Sequence, residues 1–252
     1  MNLLISLCFL AAPQGDVATS TTPLPLVQEP AKTWKGSVDA GATLVSGNNE
    51  STTASANAAI EGTWGAWSVG GNAGYTGART TDQTTGDATT TSRLYTLGAN
   101  GKRYFGQDRN LYAYVKGGDR RDEPNGLVER QDVGGGAGYR FNLSAAAFVS
   151  VEGGPSWVSE ELVGVAGSED TGVLRAAYTF EAPIAENLKA YGNGEYLTGG
   201  DVESLTTLTG VRWNFRPSWS FMASLQVNYD GSPAAGFDST DQIFVLGIGL
   251  SF

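Results

Sequence analysis

Charged side chains recur along this chain at alternate positions, and that spacing limits the chemistry they could do. Lys35, Lys102, Lys116, Arg130, Arg140, Arg175, Lys189 and Arg212 form a basic set. Asp39, Glu61, Asp132, Glu152, Glu181 and Glu195 form an acidic one. On an extended backbone such residues share a face, where opposite signs can neutralise one another or line a polar passage. Two adjacent carboxylate pairs, Glu160 with Glu161 and Glu169 with Asp170, could serve general acid–base chemistry only inside a pocket. Their flanks read as loop, so solvent exposure is expected. A denser group, Asp119, Arg120, Arg121, Asp122, Glu123 and Glu129, could hold cations or lipopolysaccharide phosphates; the plainer reading is a salt-bridged, solvated rim. The run "GGGAGYR" (Gly134 to Arg140) has neither the G-x-G-x-x-G nor the Walker spacing, and no helix pattern follows it. Its glycines are expected to let a strand bend and approach its neighbour.

There is no histidine. A Ser-His dyad, an imidazole base and a His-ligated zinc are thereby excluded. No catalytic, cofactor-binding or metal-ligating residue is expected, and an enzyme is the least favoured class. The balance of 26 Asp and Glu against 16 Lys and Arg argues against a nucleic-acid partner, which needs a basic footprint.

The elements that must position these charges are strands. The chain opens on an apolar run from Leu3 to Ala12, too short for a membrane helix and suited to a signal peptide over residues 1–18, cut after Ala12 or Ala18. The lone cysteine, Cys8, lies within that run, so cleavage would leave no thiol for a disulfide. Residues 19–33, rich in Thr and Pro, read as a flexible lead-in.

From Trp34 onward the pattern is period two. "WKGSVDAGATLV" puts Trp34, Gly36, Val38, Ala40, Ala42 and Leu44 on one face and Lys35, Ser37 and Asp39 on the other. Such runs mark about twelve strands, near 34–45, 52–63, 66–79, 91–105, 109–121, 128–141, 145–158, 172–182, 187–197, 204–215, 218–229 and 240–252. Both faces of "LYAYVKGG" are apolar, so the facing of the fifth strand stays open. Connections alternate between short ("WGA", "NLS", "RP") and generally longer ("TTDQTTGDATT", "DGSPAAGFDS"). Eleven residues at roughly 3.3 Å each, tilted near 45°, cover about 25 Å, the height of the apolar band of a transmembrane barrel. Trp34, Trp67, Phe105, Phe141, Trp213, Phe215, Trp219 and Phe252 fall near the short turns, with Tyr75, Trp157 and Tyr229 near the other ends. A soluble β-sandwich also alternates, but needs neither the turn asymmetry nor the aromatic ends. The expected fold is all-β, a single antiparallel transmembrane barrel over 34–252 with short periplasmic turns and longer extracellular loops.

Within that frame the charged face turns inward, because lipid-facing charge costs about 2–4 kcal/mol at the midplane. It is either a polar pore for small solutes or an interior filled by its own ion pairs; the near balance of signs favours filling. The last strand, "TDQIFVLGIGLSF", lays Phe244, Leu246, Ile248, Leu250 and Phe252 in one stripe toward lipid. A terminal aromatic matches the C-terminal signal read by barrel-assembly machinery, and this strand must pair with the first so that no edge meets lipid.

Four stretches in order carry a family resemblance. "GSVDAGATLVSGNNEST", "YAYVKGGDRRDEPNGLVERQDVGGGAGYRF", "VEGGPSWVSEE" and "STDQIFVLGIGLSF" together resemble the salt-induced outer membrane protein family, a domain family of unknown function. The resemblance spans about Trp34 to Phe252 and implies a β-barrel in the outer membrane of a Gram-negative bacterium; it supplies no reaction, ligand or catalytic residue. The expected partners are outer-membrane lipid and lipopolysaccharide, with periplasmic chaperones and the assembly machinery during biogenesis. The leading function is a non-enzymatic envelope protein, structural or weakly permeable. The alternatives are a passive channel for small solutes and a surface binding module built on the long loops.

Overall fold

The computed structural model describes residues 33–45, 49–82, 87–233 and 238–252. Residues 1–18, expected to be a signal peptide, and almost all of the expected lead-in, 19–33, lie outside the described residues. Twelve strands are described: β1 (Thr33–Val45), β2 (Asn49–Trp64), β3 (Trp67–Asp82), β4 (Ala88–Phe105), β5 (Leu111–Asp122), β6 (Leu127–Asn142), β7 (Phe148–Leu162), β8 (Glu169–Ala185), β9 (Leu188–Gly199), β10 (Val202–Arg216), β11 (Trp219–Asp230) and β12 (Thr240–Ser251). Each pairs antiparallel with the next, and β12 returns to β1 to close a barrel. Closure leaves no open sheet edge, the condition for a sheet to stand in lipid.

Alternation sorts the side chains as the period-two pattern requires. Outward positions are apolar and exposed: Val38, Leu97, Val115, Val133, Leu174, Phe221 and Ile248 all face away from the barrel. Aromatics collect at the end with the tighter turns, where Trp213, Phe215 and Phe221 pack with centroid distances of 4.7 to 6.3 Å. At the opposite end Tyr75 meets Tyr95 at 5.1 Å. On β5, Leu111, Ala113 and Val115 face out, whereas Tyr112 and Tyr114 point in and are 2% and 4% exposed. Their polar tips explain why both faces looked apolar in sequence.

The strands run further at the loop end than the sequence pattern suggests. β3 and β4 extend through Thr80, Thr81, Thr89 and Thr90, because threonine is both β-forming and tolerant of water above the lipid band. The connection after β9 is only Gly200 and Asp201, with Gly200 at a φ of 55°. The loop asymmetry is therefore milder than the sequence implied.

Two glycine features shape the wall. A Cβ on Gly154 would lie 2.1 Å from the Gly135 carbonyl oxygen, and one on Gly136 would lie 2.1 Å from that of Gly153. β6 and β7 come this close only because neither carries a side chain there. Inward-facing Gly138 likewise leaves room for the Tyr112 ring, which a Cβ would meet at 2.4 Å. The β1–β12 seam is the shortest: its register runs from Ser37↔Ser251 to Ala42↔Leu246, six pairs. Beyond these, Gly36 and Phe252 exchange backbone bonds of 2.9 and 3.0 Å.

Candidate functional site: the ion-paired lumen

Inward positions of six strands bring six charges into one connected belt. Lys102 on β4 donates to Glu152 on β7 at 2.7 Å. Arg175 on β8 bridges Glu152 at 2.9 Å and Glu195 on β9 at 2.5 Å. Lys116 on β5 reaches Glu195 at 2.6 Å and Asp132 on β6 at 3.2 Å. Three bases and three acids alternate, so the belt is neutral. Contacts such as Lys116 to Glu195, 79 residues apart in sequence, cross the lumen rather than follow its wall. Tyr112 adds a bond to Glu152 at 3.0 Å, and the Arg175 guanidinium lies 5.0 Å from the Tyr114 ring centre. Taking ions from bulk water is costly unless each meets partners, and here every member has at least one.

A second tier closes the loop end. Arg130 binds Glu160 on β7, and across the barrel it binds Asp230 on β11 at 3.0 Å. Arg120 donates to Thr206 on β10 at 2.9 Å. Asp122, only 2% exposed, accepts from Ser92, the Arg93 backbone and Asn125 at 2.8 to 3.1 Å. Val158, Val173 and Leu197 form a small buried apolar cluster beside them.

Toward the turn end the pairing thins. Arg212 approaches Asp39 at 4.0 Å, Lys189 binds Glu181 at 2.6 Å, and Glu61 accepts from Ser68 at 2.6 Å. Arg140 bonds Asn142 at 2.9 Å and lies 3.8 Å from the Phe148 ring centre. Lys35 lines the mouth beside Glu61, Asp108 and Arg109.

The fourteen candidate lumen charges thus all occupy inward positions, but as three tiers rather than one set. Two expectations need correction. The proposed rim cluster is divided by the strand's alternation: Arg120 and Asp122 turn inward, while Asp119, Arg121 and Glu129 form an ion-paired group on the outside. Glu123 sits in a one-turn 3-10 helix, Glu123–Asn125. Glu160, expected in a solvated loop, lies on β7 as the 12%-exposed partner of Arg130. It was missed because its strand continues four residues beyond the alternating run. Asp230 was missed too; only pairing across the barrel reveals its role. Glu169 and Asp170 are exposed, as expected.

Cavities remain in the lumen. One of about 390 Å³ lies at the belt itself, lined by all six of its charges, and reaches Arg120, Thr206 and Gln226. A second, about 360 Å³, forms the turn-end mouth. A third, about 170 Å³, lies against β1, β10, β11 and β12. Among the described residues, no group of three or more His, Cys, Asp or Glu could hold a metal ion.

A closed twelve-stranded barrel with an apolar outer band and a charged interior defines the class: an outer-membrane-type β-barrel, like those of channels and porins. Residues 38–252 match the family described as "Protein of unknown function, DUF481", and the chain belongs to that family. Among solved structures, it is similar to an outer membrane channel from Pseudomonas putida F1, at 11% identity and a TM-score of 0.51 over 90% of this chain and 98% of that one. The translocator domain of autotransporter NalP from Neisseria meningitidis is also similar, at 14% identity and a TM-score of 0.45 over 90% and 91% of the two chains. The KdgM porin matches at 9% identity and a TM-score of 0.45 over 86% and 99%. No curated protein matches the chain.

Proposed function

We propose that this protein is a non-enzymatic, weakly permeable barrel of the bacterial outer membrane, delivered there after removal of a signal peptide within residues 1–18. The observation that carries this reading is the neutral belt from Lys102 to Asp132, whose ion pairs reach between β4 and β9 and narrow the lumen. An open porin needs a continuous watery path, and paired side chains at mid-depth occupy much of it. The stripe Phe244, Leu246, Ile248, Leu250 and Phe252, 36% to 72% exposed, suits the C-terminal assembly signal for periplasmic chaperones and the assembly machinery. Lipid and lipopolysaccharide are the partners of the outer surface. A salt-induced role concerns when the protein is made and leaves this mechanism unchanged.

A second reading, a passive channel for small solutes, draws on the 390 Å³ space that all six belt charges line and on the 360 Å³ mouth at the turn end. Acids outnumber bases in the chain by 26 to 16. A field of that sign favours small cations. Liposome swelling with sugars of graded size separates the readings. Negligible swelling is expected for a weakly permeable barrel; rapid, size-dependent swelling would establish the channel.

A further inference from the structure

Three arginines stand together on the outer wall. Among the described residues, the cations that face outward at the loop end are Arg79 on β3, Arg93 on β4 and Arg121 on β5, all exposed and on adjoining strands. Register sets them in a staircase. Arg93 lies opposite Gly77, two residues before Arg79, and Arg121 lies opposite Tyr95, two residues after Arg93. Diagonal neighbours of this kind stand about 7–8 Å apart, within the span of one ligand for long side chains. Tyr75 and Tyr95 pack beneath them at 5.1 Å, and the Tyr75 hydroxyl folds over Gly77, where a Cβ would meet it at 2.5 Å. Asp119 and Glu129 bind Arg121. No ion pair among the described residues engages Arg79 or Arg93. The segments 67–79 of β3 and 90–105 of β4 hold no acid, and Asp87 precedes β4.

Depth sets the class of ligand. Arg79 lies twelve residues along β3 from Trp67, and Arg93 twelve along β4 from Phe105, both aromatics of the turn end. At roughly 3.3 Å per residue, tilted near 45°, that is about 28 Å, just past an apolar band of about 25 Å. Below the arginines, Val69, Leu97 and Val115 turn apolar side chains outward. Guanidinium forks match phosphate oxygens, and tyrosines settle at headgroup level. We infer that Arg79 and Arg93, with Arg121 beside them, bind the phosphorylated sugar headgroup of lipopolysaccharide, its acyl chains lying against β3 to β5 below. A free phosphate would leave the apolar wall unused, and a neutral lipid would leave the guanidinium groups without an acceptor. The site rests on the outer-membrane reading above, which names the lipid but assigns it no residues. It does not depend on whether the lumen conducts.

The test uses the full-length barrel in zwitterionic detergent, with bound lipid counted by native mass spectrometry. The probe is diphosphoryl lipid A; phosphate-free lipid A, phosphatidylglycerol and inorganic phosphate are its counterparts. Saturable binding of the probe is expected, at least tenfold tighter than that of phosphate-free lipid A or phosphatidylglycerol, and millimolar inorganic phosphate should not displace it. The double variant Arg79→Gln, Arg93→Gln should weaken binding tenfold or more, and Arg79→Lys, Arg93→Lys should recover part of the loss. Glu129→Gln, which releases Arg121 from one acid, should tighten binding severalfold. Arg103→Gln should leave it unchanged, because Arg103 faces outward at the turn end, 5.5 Å from the Trp67 ring centre. Heat-modifiable migration verifies that each variant is folded. A barrel that fails to fold and insert overturns the membrane reading itself. In a folded barrel, equal binding of phosphate-free lipid A or phosphatidylglycerol, displacement by inorganic phosphate, or unaltered binding in Arg79→Gln, Arg93→Gln would each overturn this site alone.

Discussion

Arg175 is the residue whose removal tests the belt most directly. It is 7% exposed and bridges two carboxylates, Glu152 at 2.9 Å and Glu195 at 2.5 Å. Arg175→Ala widens the neck beside the 390 Å³ cavity and changes the belt from neutral to a net charge of −1. Neither carboxylate is orphaned, since Glu152 keeps Lys102 and Tyr112 and Glu195 keeps Lys116. The stability cost should therefore be about 1–3 kcal/mol rather than the roughly 3–5 kcal/mol of an unpaired buried charge. A unit charge about 4 Å from a passing ion is worth about 1 kcal/mol at the dielectric of water. That enriches cations about fivefold at the neck and depletes anions similarly. In planar bilayers the variant should conduct more than wild type, and its reversal potential in a KCl gradient should move toward that of potassium. The double variant Arg175→Ala, Glu195→Gln keeps the remaining belt neutral. It should raise conductance while leaving selectivity near that of wild type. Unchanged conductance and reversal potential in a folded Arg175→Ala barrel would refute the claim that the belt limits passage.

Deleting Phe252 removes both backbone bonds to Gly36 and the ring that packs over that glycine, so folded barrel should fall sharply in a heat-modifiability assay. Gly154→Ala places a methyl against the Gly135 carbonyl and should lower unfolding stability in urea by about 1–3 kcal/mol, the usual cost of overpacking. In hydrogen exchange, amides of β12 from Thr240 to Phe244 should exchange on their β1 side faster than those from Leu246 to Leu250, because the seam's register ends at Ala42↔Leu246. Uniform protection along β12 would show that the seam closes further in solution.

The strands, their order of facing and the sign of each face were legible because a barrel wall imposes one rule at every residue. Lipid takes alternate apolar side chains, so Phe244, Leu246 and Ile248 declared their direction without any knowledge of their neighbours. The same rule put Lys102, Glu152 and Arg175 inside. It could not separate Arg120 from Arg121, because adjacent residues in one charged run look alike until a register is known. The facing of β5 stayed open for a related reason: Tyr112 is apolar by type, yet its hydroxyl meets Glu152 inside the barrel.

Partnership was the part that only the tertiary structure decided. Arg130 finds Asp230, 100 residues away, and Lys116 finds Glu195 across the lumen. Strand pairing and closure set those distances, and no local pattern encodes them. The close approach of β6 and β7 at Gly136 and Gly154 follows from the same closure. Alternation along one strand is a local property, written residue by residue. Which charges meet depends on how twelve strands tilt and stagger around a common axis, and that is a property of the closed barrel alone.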